Sequence, residues 1–100
     1  MAEQTLFEQV LETAKDLESE VATAHQEEMK LLIKDLEEAK TTLFIRTAEA
    51  KPMIERCWRA VEVMKAAQAG SQEAEDGFSD FEQAVSKLRN TILVRTQRAT

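Results

Sequence analysis

The sequence predicts an all-helical fold, and three observations carry that expectation. Hydrophobic residues make up 43% and charged residues 32%, the balance that amphipathic helices with one wet face require. Proline occurs once, glycine twice and tyrosine never, too few turn formers and strand formers for an all-β chain of this length. Apolar residues recur at steps of three and four along most of the chain, the period of one helical face. One hundred residues suffice for a single small domain, here read as 1–100.

The breaking signals divide the chain into three segments. The first, 5–49, contains neither glycine nor proline, and its stripe runs Leu6, Val10, Ala14, Leu17, Val21, His25, Met29, Leu32, Leu36, Ala39 and Leu43. Around His25 the alternation of threes and fours gives way to consecutive fours, a stutter that unwinds a coiled coil without ending the helix. With no breaker in it, the segment is expected to form one long helix of roughly 68 Å. The alternative is a turn near residues 22–26 that closes a four-helix bundle. Thr23-Ala24-His25-Gln26 fits a capping box, but no glycine precedes it to stop a helix.

Ala50-Lys51-Pro52 is the first clear boundary, because proline suits the first turn of a new helix and disfavours helix in the residue before it. A second helix is expected over about 52–69, with Ile54, Cys57, Val61 and Met64 as its stripe, widened by Met53 and Trp58. Gly70 is placed to stop it. The polar run from Gly70 to Gly77 reads as a connection, and Ser79-Asp80-Phe81-Glu82 as the capping box of a third helix over about 79–97. Phe81, Val85, Leu88 and Ile92 line one face of it, with Phe78 extending the stripe backward. Val61, Leu88 and Ile92 are expected inside, and Glu62 and Arg89 outside. Lys40–Thr47 weakly resembles Arg89–Thr96, and both stretches carry enough apolar residues to suggest helices buried on two sides.

Charge narrows the partners. The net charge is −6 and the pI near 4.8, so phosphate backbones and anionic lipid are repelled, and neither nucleic acid nor a membrane is expected as a partner. No apolar run approaches the roughly 20 residues of a membrane span. The start, MAEQTLFEQ, lacks the basic and apolar regions of a signal peptide, and the single Cys57 suggests a reducing, cytoplasmic setting. Residues 1–28 hold eight acids against Lys15, a net of −7, while residues 83–100 hold Lys87, Arg89, Arg95 and Arg98 and no acid, a net of +4. That polarity matches helix dipoles at the two ends, and it would let those ends attract each other.

Catalytic and metal chemistry find little support. One histidine and one cysteine in different segments cannot supply a converging ligand set, and the residue three before His25 is Ala22, so no Glu-x-x-His motif exists. Arg56 and Arg59 near Cys57 could favour a thiolate, yet the simpler reading is a small buried hydrophobe. His25 reads as a tolerated polar residue on the stripe, or as a pH-sensitive register point. Trp58 reads as core, or as a hot spot if exposed. No phosphate loop or nucleophile elbow is present, and no catalytic, cofactor or metal residue is assigned.

The expected function is therefore a non-catalytic helical protein-interaction module, an adaptor or chaperone-like subunit that self-associates or captures a partner helix. A structural subunit of a larger helical assembly is the alternative, and an enzyme or cofactor carrier the third. Two short helices cannot cover a 5–49 helix, so Leu6, Val10, Leu17 and Val21 are expected to face a partner. An antiparallel homodimer, which keeps the acidic halves apart, is therefore expected, with a four-helix monomer as the runner-up.

Overall fold

In the computed structural model, which describes residues 5–99, the chain is all-helical, with four α-helices and no strand among the described residues. Met1–Gln4, with Glu3 of the acidic end, lie outside the described residues, as does the side chain of Arg98. Helix α1 (Leu6–Leu17) starts behind Thr5, whose hydroxyl accepts the Glu8 N–H at 3.2 Å. It buries Phe7, Val10, Leu11, Ala14 and Leu17, a wider face than the stripe that skips Phe7 and Leu11.

The single long helix over 5–49 is not what forms. The chain leaves α1 after Leu17, whose carbonyl accepts the N–H groups of Glu20 at 2.9 Å and Val21 at 3.0 Å. Helix α2 (Thr23–Lys40) then begins at Ala22 in an extended conformation, with no side-chain cap. Gln26 donates instead from Nε2 to the Val21 carbonyl, at 3.3 Å. The reason is burial. A straight helix would leave the α1 stripe in water, at a cost of about 1.5–3 kcal/mol for each large apolar side chain. Folding back places Val10 and Ala14 at 0% exposure and Leu17 at 4%.

Helix α2 buries Met29, Leu32, Ile33, Leu36 and Ala39 and stops well short of residue 49. The hydroxyls of Thr41 and Thr42 donate back to the Glu38 and Ala39 carbonyls, both at 2.7 Å, and compete with helix continuation. A short 3-10 turn, Phe44–Arg46, follows. The resemblance between Lys40–Thr47 and Arg89–Thr96 thus joins a helix end and 3-10 turn to a continuous α-helix, and burial on two sides is absent. Leu43 is 79% exposed, and Leu93 and Val94 are 48% and 49% exposed.

Helix α3 (Lys51–Ala66) carries Pro52 in its first turn and buries Ile54, Cys57, Ala60, Val61 and Met64. It ends at Ala67 in an extended conformation, and Gly70 takes φ +85° in the turn. Helix α4 (Gln72–Ala99) begins at Gln72 and not at Ser79. Ser71 is the capping side chain, its Oγ accepting the Ala74 N–H at 3.2 Å. Gly77, taken from sequence as part of a connection, lies inside α4. A Cβ there would sit 3.0 Å from Met64 Cγ and 3.1 Å from Val63 Cγ1, so it lets α3 and α4 approach closely.

All four helices feed one core around Phe81, Met29, Leu36 and Leu88. Helix α3 packs most extensively on α4, with α1 laid chiefly against α3 and α2 against α4. Val61 and Leu88 are buried as expected, while Ile92 is half-buried against the core; Glu62 and Arg89 are exposed.

Candidate docking groove

The fold brings four separated stretches together at one end of the molecule. The first turn of α1 supplies Thr5, Leu6, Phe7 and Glu8, and the end of α2 supplies Lys40. The connector gives Ile45, Arg46, Thr47 and Ala48, and α3 contributes Lys51 and Ile54. Between them lies a groove of about 640 Å³, inside the range of roughly 300–1,000 Å³ usual for binding clefts. Its floor is apolar: Phe7 and Ile54 are buried, and Leu6 and Ile45 half-buried. The rim is basic, with Lys40, Arg46 and Lys51 all exposed and Glu8 its one acid among the described residues. Among the described residues none of these three cations is held in an ion pair.

Two features of α3 sharpen the electrostatics. Its cap, Ala50, offers no side-chain hydrogen bond, and its first turn carries no acid. Lys51 is the first residue of the helix, where the positive end of the dipole disfavours a cation. The sequence thus keeps a positive charge where the local rule calls for a negative one, and such violations concentrate at functional positions. A second hollow, about 800 Å³, runs along α4 from Glu82 to Arg95 beside Glu49. There Arg95 pairs with Glu49 and lies 5.9 Å over the Phe44 ring, which leaves Lys87 as its other cation.

The four residues expected to face a partner fall elsewhere. Val10 and Leu17 are in the chain's own core, at 0% and 4% exposure, and Val21 is half-buried at the α1–α2 turn. Only Leu6 reaches the groove. The uncovered stripe presupposed a straight helix, and the turn after Leu17 removes it.

His25 joins the start of α2 to α4. Its Nε2 pairs with Glu75, and its ring stacks on Phe78 with centroids 4.4 Å apart. Nearby, a hydrogen bond with Glu28 holds the Glu82 carboxyl above its ordinary range; burial and the Glu28 charge add to this, and His25 opposes it. Cys57 is 1% exposed, and burial pushes its thiol up to about 12 against the smaller opposing effect of Arg56. Burial thus works against the thiolate form that an attacking cysteine needs. Trp58 is half-buried and packs against the core. Among the described residues no three His, Cys, Asp or Glu side chains are placed to hold a metal ion, and no helix is long and apolar enough to cross a membrane.

Apart from Leu6, the groove residues escaped sequence reasoning because they share no period and come from four stretches. The one available signal was Lys51 beside Pro52, a cation at a predicted helix start. No protein-family model, no curated protein and no solved structure matches this chain.

Proposed function

We propose that the chain is a non-catalytic protein-interaction module, an adaptor or chaperone-like subunit, and that the groove between α1, the connector and α3 is where its protein partner docks. The observation that carries this reading is an apolar floor ringed by three cations, none in an ion pair among the described residues, at the junction of four chain stretches. Its open side suits a peptide segment better than a small molecule, because small-molecule sites enclose most of their ligand. The burial of Cys57, the chain's one thiol, speaks for packing rather than catalysis. A photo-crosslinking side chain at Arg46 on the rim, compared with one at exposed Lys34 on α2, tests the proposal. A discrete protein adduct is expected from position 46 and not from 34, and its absence at 46 would refute the groove as a docking surface.

A second reading, a structural subunit of a helical assembly, draws on Leu93 and Val94, about half exposed near the end of α4 at 48% and 49%. Sedimentation at rising concentration separates the two, because only the assembly subunit polymerises by itself.

A further inference from the structure

We infer that the groove receives an acidic segment of a partner protein, one that carries apolar side chains among its carboxylates. This rests on the docking reading above and adds the chemistry of the partner. Charge complementarity carries it. The chain as a whole has a net charge of −6, yet among the described residues the groove rim collects Lys40, Arg46 and Lys51 against Glu8 alone. Among the described residues these cations are held in no ion pair. Their neighbours add to the positive field, since the N-terminal turns of both α1 and α3 open at the groove and α3 has neither an acid in its first turn nor a side-chain cap.

A basic segment would meet three like charges at this place, and an acidic one meets them as partners. Further along α1 and at the start of α2 the relation reverses. Glu12, Asp16, Glu20, Glu27 and Glu28 are all exposed, and they turn an acidic segment away from the remainder of α1 and from the start of α2. Along α1 and α2 the groove is then where an acidic partner finds attraction, and the local contrast sets orientation as well as affinity. The floor of Leu6, Phe7, Ile45 and Ile54 requires more than charge, because a purely polar segment would leave it in water. The chemistry that satisfies both is a segment with carboxylates flanking one or more large apolar side chains, the pattern of an amphipathic acidic helix or turn.

The test uses two synthetic amphipathic peptides with one leucine pattern, glutamate filling the polar positions of one and lysine those of the other. Fluorescence anisotropy against the full chain reads binding. The glutamate peptide is expected to bind tighter by about tenfold or more, and a Lys40→Glu, Lys51→Glu double variant to reverse the order. Ile45→Ala should weaken the glutamate peptide, and Lys34→Glu, away from the groove, should leave it unchanged; circular dichroism verifies that each variant is folded. A preference for the lysine peptide, or a glutamate preference that survives the double variant, overturns the inference. So does a groove filled by a second copy, seen as a dimer that the double variant dissociates. If position 46 crosslinks a partner while neither peptide binds, the acidic chemistry is wrong and the docking reading stands. If neither adduct nor binding is found, both fall.

Discussion

The turn between α1 and α2 and the turn between α3 and α4 both reverse the chain, by different means. The α3–α4 turn is local chemistry: Gly70 at φ +85° takes a conformation other residues resist, and Ser71 caps the next helix. The α1–α2 turn has no glycine, no proline, no positive φ and no side-chain cap. It forms because Leu17 on one side and Met29 on the other are drawn into the same core. A helix break can thus be imposed by tertiary burial on a sequence whose local preferences run straight through it.

That difference predicts where each turn is vulnerable. The largest effect is expected at Leu17, where alanine should cost about 2–5 kcal/mol in urea denaturation, as deletion from a packed core does. Leu43→Ala, at 79% exposure, should stay within about 0.5 kcal/mol. Should Leu17→Ala prove as mild as Leu43→Ala, the α1–α2 turn would be held by something other than burial.

Gly70→Ala comes next. At φ +85° an added Cβ costs about 1–2 kcal/mol from backbone strain, although nothing lies within 4 Å of it. The counterpart in the other turn, Glu20→Ala, should change the denaturation midpoint hardly at all. Equal sensitivity at the two positions would erase the distinction between a locally encoded turn and an imposed one.

The same contrast explains what could be read from the sequence. Helix α3 was legible because Pro52 opens it and its stripe, Ile54, Cys57, Val61 and Met64, is buried throughout. The faces of α2 and α4 were legible for the same reason, with Met29, Leu32 and Leu36 on one and Phe81, Val85 and Leu88 on the other. The break after Leu17 was not, since no residue there announces it and only the competition for core surface decides. The start of α4 was misplaced because Gly77 carries two meanings. In sequence it looks like a breaker, and in the fold it is a helical position flattened to admit Met64. The groove was invisible for a third reason. Leu6, Lys40, Ile45, Arg46 and Lys51 are adjacent only after the α1–α2 turn and the Phe44–Arg46 turn have both formed.

The imposed turn also leaves a gap that can be filled. Ala22 caps α2 with a backbone already extended, at φ −54° and ψ 143°, but it offers no oxygen to the first turn. Ala22→Ser should add stability of about 1 kcal/mol by supplying that acceptor. A thermal melt that fails to rise would mean that packing around the half-buried Ala22 outweighs the new hydrogen bond.

The smallest expected effect, at Lys51, is informative because stability and binding should move apart. Replacing Lys51 by glutamate exchanges a cation for an anion at the positive end of α3, which favours the folded state by about 0.3–1 kcal/mol for each unit of charge corrected. Glu55, one turn further along, works against this, since a like-charged pair at that spacing costs about 0.2–0.5 kcal/mol and an attractive one is lost. The sum should lie between a loss of about 0.4 and a gain of about 1.6 kcal/mol. Affinity for the glutamate peptide should fall in the same variant. A side chain kept for the fold would behave oppositely, its replacement lowering the melting temperature. Lys51→Glu therefore separates the two roles in one protein preparation: a stability loss beyond about 0.5 kcal/mol would make Lys51 a structural residue, whereas an unchanged or raised melting temperature with weakened binding would mark a charge retained for the groove against the preference of its own helix.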